Sequence, residues 1–184
     1  MELELSAEAK DKRLNRAVAL TVVVLSVFAG LCSIKDGNIV QAMQQAQSAS
    51  VDGWNEYQAT RTKQHLAEMA RLQLAALAPP DKAAAPLASL DRDISRYKAE
   101  APRLAAEARR QGDLYDRLNF HDDQFDAADA AIASAISIAA VAALAESGWV
   151  LIAAWLFGAF GLFMGLNGFL GGSFHPEALS TLLG

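Results

Sequence analysis

The chain has 184 residues, a formal net charge of −5 and 53% hydrophobic residues. That leaves room for one domain, or a small domain with anchors, and a mildly acidic chain without a basic stripe argues against nucleic acid as a partner. The single cysteine, Cys32, excludes an intrachain disulfide.

Charge is partitioned along the chain. Residues 36–126 carry eleven Lys/Arg and fourteen Asp/Glu, while residues 127–170 carry only Asp129 and Glu146. This is the pattern of a membrane protein with a soluble excursion.

Residues 1–16 are polar and mixed in sign, and read as an N-terminal tail. Residues 17–34 are eighteen residues without a charge, behind a basic cluster. The run is longer than the apolar core of a signal peptide, and Leu31 before Cys32 suits neither cleavage nor lipid attachment. It reads as a retained first span. Lys35-Asp36-Gly37-Asn38 closes it, with Asp36 or Asn38 placed to cap the next helix, or else the helix continues through this stretch with a bend.

Residues 35–126 then read as a soluble helical hairpin. Residues 39–77 lack proline and paired glycine, and predict one helix of up to roughly 60 Å. Val40, Met43, Gln47, Ser50, Trp54, Tyr57 and Arg61 form its expected seam, continued by Leu66, Met69, Leu72 and Leu77. Pro79-Pro80 stops that helix, and residues 79–86 form the expected tip.

The return helix, residues 87–118, is more regular. Leu87, Ile94, Ala101, Ala108 and Tyr115 recur every seven residues, interleaved by Leu90, Tyr97, Leu104, Gln111 and Leu118. These are five heptads of a coiled-coil-like seam. Pro102 predicts a bend near Ala99–Pro102. The phase continues through Asp122, Phe125, Asp129 and Ile132, which points to a helix running directly into the second span, with or without a short break at Asn119–Asp122.

Residues 127–145 and 148–170 are two further spans, joined by Glu146-Ser147. In the last, Gly158, Gly161, Gly165, Gly168 and Gly172 are spaced 3, 4, 3 and 4, one helical face for close packing. The expected partner is the Ala-rich second span with Ser134 and Ser137, or a second subunit. Residues 171–184 form a C-terminal tail, with Pro176 opening a short interfacial helix to Leu183.

The fold class is therefore all-α. The sequence predicts three transmembrane helices and a long antiparallel helical hairpin outside the membrane. Four basic residues precede the first span and none follows the third, so the positive-inside rule favours a cytoplasmic N-terminus, with Lys35 and Arg117 beside the soluble segment weighing the other way.

Side chains with chemical potential are few. His121, Asp122 and Asp126, with Asp129, resemble a divalent-cation site in residue type; the plainer reading is an acidic cap that keeps a helix end in water. His65 and Glu68 share an i, i+3 spacing used by metal-binding bundles, but the pair is not repeated. Asp129 and Glu146 bracket the second span as boundary markers. Trp54, Tyr57, Tyr97 and Tyr115 read as core aromatics before they read as a ligand-stacking patch. Trp149 fits an interfacial position and Trp155 a lipid-facing one. No phosphate-binding glycine loop, Ser/His/Asp order or Cys/His cluster occurs, so neither enzymatic activity nor a cofactor is expected.

Residues 51–63, Val51-Asp52-Gly53-Trp54-Asn55-Glu56-Tyr57-Gln58-Ala59-Thr60-Arg61-Thr62-Lys63, resemble bacterial membrane proteins grouped under domain of unknown function 4337. The run His121-Asp122-Asp123-Gln124-Phe125-Asp126 before an Ala/Ile-rich span is similar to a motif of that family, as is the final Gly165-Leu166-Asn167-Gly168. The resemblance implies an integral membrane protein and supplies no catalytic residues. Together these readings give a non-enzymatic structural or interaction protein, multi-pass in a bacterial inner membrane. Its expected partners are membrane lipid and further copies of itself; no protein partner is singled out. An oligomeric ion or small-solute channel, or a metal-binding envelope sensor, are the alternatives.

Overall fold

The computed structural model describes residues 2–174, with side chains from residue 12 onward. Three helices make up the described chain: α1 (Glu2–Leu77), α2 (Pro80–Leu144) and α3 (Gly148–Phe169). All three contain a segment long and apolar enough to cross a membrane. The expected tip at 79–86 shrinks to Ala78-Pro79. Pro80 needs no N–H at the first helical position, and its fixed φ starts α2 at once. Of the two forms open at Lys35–Asn38 the continuous helix is present, α2 likewise runs through Asn119–Asp122 without a break, and α1 already covers the residues read as a polar tail. The segment from Pro176 to Leu183 lies outside the described residues.

The chain divides into two units, Met1–Gln41 with Arg117–Gly184, and Ala42–Asp116. In the second, α1 and α2 pack as an antiparallel hairpin. Nine of the ten expected seam positions of α2 fall in this unit, and all nine are buried or partly buried, Ala108 completely; Leu118, in the first unit, is partly buried too. The seam of α1 differs from the expected one by one residue at half its positions. It runs through Met43, Ala46, Ser50, Gly53, Tyr57, Thr60 and Gln64, while Leu66, Met69, Leu72 and Leu77 face outward. Small residues win because the helices approach closely here. A Cβ on Gly53 would lie 3.1 Å from the Ala108 Cβ and 3.3 Å from its Cα. Ser50 Oγ donates to the Ala108 carbonyl at 3.0 Å, which fixes register at the same level.

In the first unit, α3 lays its glycine face into the groove between α1 and α2. Gly158 meets Leu25 and Ala135, Gly161 meets Ile132 and the Ala128 carbonyl, Gly165 meets Phe28 and Cys32, and Gly168 meets Phe125. The partner is thus both other helices, not the second span alone. Ser134 and Ser137 take no part in this packing through their hydroxyls, which donate to carbonyls one turn back. Phe169 closes the layer edge-to-face with Phe125 and Phe28, at centroid distances of 5.2 and 6.3 Å.

Gly172 is not a packing residue, because α3 has already ended. Gly171 adopts φ +67°, and the N–H groups of Gly171 and Gly172 donate to the carbonyls of Gly168 and Asn167. This is a Schellman ending. The second helix ends the same way with Glu146 at φ +49° in the left-handed position. A side chain costs about 1–2 kcal/mol there. Glu146→Gly should therefore raise thermal stability by about 0.5–1 kcal/mol after the entropic cost of glycine, read as a higher unfolding midpoint in detergent; a lower midpoint would contradict this account.

Candidate functional site

The seven-residue repeat of α1 extends back through Ala46, Ile39, Cys32, Leu25 and Val18, all buried. Asp36 lies three residues before Ile39 and so shares this inward face. On α2, Asp122 and Asp129 fall seven residues apart in the phase of Leu87 and Ile94. Three carboxylic acids therefore occupy positions that the helix pattern reserves for apolar side chains. Asp36, Asp122 and Asp129 each bury an Oδ1 that no hydrogen-bond donor reaches. Asp126, one turn from Asp122, is exposed.

Burying such groups disfavours their charged forms. The Asp122 carboxyl is pushed up to about 7, first by burial, then by a side-chain hydrogen bond to Asp36 and the repulsion of its charge. Asp126, exposed as a residue but with neighbours that partly desolvate its carboxyl, is raised too, first by that desolvation, then by the charges of Asp36 and Asp123. The arrangement brings the Asp36 and Asp122 carboxyl groups near each other between α1 and α2, which favours a proton on Asp122. Fully buried Cys32 lies one helical turn from Asp36.

His121 does not join the carboxylates through a hydrogen bond. Its Nδ1 pairs with Gln124 Oε1 at 3.0 Å, and its ring stands edge-on to Phe120. Gln124, missed in the sequence, is fully buried and ties down the exit of α3. Its Nε2 donates to the carbonyls of Gly172 at 3.0 Å and Phe174 at 2.7 Å, and Asn167 Nδ2 also donates to Phe174 at 3.0 Å. The only signal for this role was an amide adjoining Phe125 in an otherwise acidic run. The segment 121–126 thus divides its labour: Asp122 enters the α1 seam, Gln124 holds the α3 terminus, and Phe125 fills the space beneath Gly168. Gln124→Leu should cost about 1–3 kcal/mol and speed amide exchange across residues 168–174. Unchanged exchange there would count against the tie.

Among the described residues, no three His, Cys, Asp or Glu side chains are grouped to hold a metal ion. His65 Nδ1 lies 3.5 Å from Glu68, which also pairs with Lys98 at 3.3 Å. Hydrogen bonds from Gln64 and then Lys98 hold the Glu68 carboxyl below its usual range. This is an ion-paired surface. Trp54 and Tyr57 pack edge-to-face at 5.6 Å with the Arg109 guanidinium 6.0 Å from the Trp54 ring, while Tyr97 sits under Arg96. Trp155 is half-exposed and donates from Nε1 to Thr21 Oγ1 at 2.9 Å.

No curated protein and no solved structure matches this chain. A family model, described as a domain of unknown function (DUF4337), matches residues 14–171. That range takes in α3, the acidic seam and both arms of the hairpin, and this chain belongs to that family.

Proposed function

We propose that this protein is a non-enzymatic, membrane-anchored structural or interaction protein that self-associates, multi-pass in a bacterial inner membrane. The observation that carries the reading is the docking of α3 through its glycine face onto α1 and α2. A set of spans that satisfies its small-residue packing internally serves as an anchor. Its outward faces carry Leu20, Val23, Val27 and Leu31 of α1 with Ile152, Leu156 and Phe157 of α3, all exposed. Such faces suit hydrocarbon and are costly in water. The anchor carries the helical hairpin, and the four basic residues before the first span favour a cytoplasmic N-terminus with the hairpin on the other side.

Cysteine accessibility at Ala84 and Ser6, in a Cys32→Ala background, tests the orientation. Labelling of Ala84→Cys by an impermeant reagent in intact cells, with Ser6→Cys protected, is expected; the reverse pattern overturns it. Light scattering of the purified protein in mild detergent tests self-association.

A second reading, an oligomeric cation channel, draws on the buried carboxyl oxygens of Asp36, Asp122 and Asp129. It predicts conductance in planar bilayers that Asp122→Asn abolishes. Silent bilayers would dismiss it.

A further inference from the structure

The hairpin leaves one long face of α1 uncovered. Its α2-facing side is spent on Gly53, Thr60 and Gln64. On the opposite side Val51, Thr62, Leu66, Met69, Leu72 and Leu77 are all exposed. Four of them are large and far from satisfied: Leu66 is 65% exposed, Met69 55%, Leu72 61% and Leu77 84%. Their spacing keeps them within one arc of the helix over about 39 Å at the standard rise. Between them lie Asn55, Gln58, Ala59, His65, Gln73 and Ala76, so the arc carries no Lys, Arg, Asp or Glu along its centre. Asp52, Arg61 and Lys63 lie at its edges.

We propose that this face of α1 is the self-association surface, and that its occupant is the same face of a second copy of this chain. The inference rests on the self-association proposed above and gives it a location. The glycine face of α3, the other candidate surface, is already filled by Leu25, Ile132, Phe28 and Phe125 of the same chain. Charge selects among the possible occupants. A membrane surface is recognised by Lys and Arg flanking Trp or Phe, and a charged partner needs opposite charge; this face offers neither. Two copies of an uncharged face meet without repulsion, and a two-fold axis brings identical patches together. Both copies are anchored by the same spans, so the axis runs alongside α1 and sets Leu66, Met69, Leu72 and Leu77 of each copy against the same residues of the other. Burying these side chains with Val51 on both copies removes on the order of 1,000 Å² from water, about the area at which a specific contact holds.

The test uses the full chain in mild detergent, with mass measured by light scattering across a dilution series. The expected result is a dimer for the unaltered protein and a rise of at least about 100-fold in the dissociation constant for Leu66→Gln/Met69→Gln/Leu72→Gln. In a Cys32→Ala background, Met69→Cys should form a disulfide-linked dimer on oxidation, whereas Ser95→Cys, exposed on α2, should not. A triple variant that stays dimeric, or equal cross-linking at both positions, overturns this surface and leaves self-association standing. A monomer at every concentration overturns both.

Discussion

Gly161→Ala should loosen the three-helix unit by about 1–3 kcal/mol, while Gly158→Ala should be close to neutral. Both glycines belong to the same face, and helix propensity favours alanine equally at each, by up to about 1 kcal/mol. The difference lies in the neighbour. A Cβ on Gly161 would lie 2.7 Å from Ile132 Cγ1, 3.0 Å from the Ala128 carbonyl oxygen and 3.2 Å from the Ile132 nitrogen. The last two are backbone atoms, so relief requires α3 to move away from α2. A Cβ on Gly158 would meet only the methyl ends of Leu25, at 3.1 and 3.4 Å, and the Ala135 Cβ at 3.6 Å. A leucine methyl can turn aside. Thermal unfolding of the purified variants in one detergent, followed by circular dichroism, measures the contrast. Equal midpoints for the two alanine variants would show that the approach of α3 to α2 is slack.

The second large effect is on pH dependence. Burial, and then the neighbouring Asp36, push the Asp122 carboxyl up to about 7, well above the ordinary 3.8. A group raised in this way contributes stability that is complete below about pH 4 and is lost as pH rises through its folded value. The unfolding midpoint should therefore fall between pH 5 and pH 8. Because the side chain is only partly buried, solvent screening reduces the contribution to about 1 kcal/mol, or about 2–4 °C for a chain of this size. Asp126, raised for the same reason and exposed, acts in the same direction with a smaller effect. Asp122→Asn keeps the shape and removes the charge, so it should raise the midpoint at pH 8, leave it nearly unchanged at pH 5, and flatten the slope between. Parallel pH profiles for the variant and the unaltered chain would remove Asp122 from the account.

Regular patterns made most of the architecture legible. Three apolar runs marked the spans, the first and third without a charge, Pro79-Pro80 marked the reversal, and the Leu87/Leu90 phase placed every seam residue of α2 correctly, on through Phe125 and Ile132. The same rule misled on α1. Its bulky apolar residues, Leu66, Met69 and Leu72, are not its packing residues, and the positions that pack are Ala46, Gly53, Thr60 and Gln64. Hydrophobicity finds a seam only when the seam is greasy; here proximity of the backbones set the residue type.

The acidic site was half-visible for a related reason. Asp122 and Asp126 stood out as a run of acids, but Asp36 looked like a helix cap because Gly37 comes next. No atom lies within 4 Å of where a Cβ on Gly37 would sit, and α1 simply continues through it. Counting back by sevens from Ala46 to Ile39 and Cys32 would have put Asp36 on the inner face. Gln124 had no comparable signal, since its partners are carbonyl groups of the chain after α3 and depend on where that helix ends.

The groove that receives α3 has walls from helices far apart in the chain: Leu25 and Phe28 on one side, Phe125 and Ile132 on the other. That groove does not exist until α1 and α2 have found each other. In a bilayer, as proposed above, α3 would enter as an apolar helix that lipid alone can accommodate and would dock afterwards, as inserted helices generally do. Its docking would then be the last step of assembly. Until the final helix seats, Phe125 and Gln124 stay uncovered, and a chain that stalls before Gly148 is chemically distinguishable from a finished one.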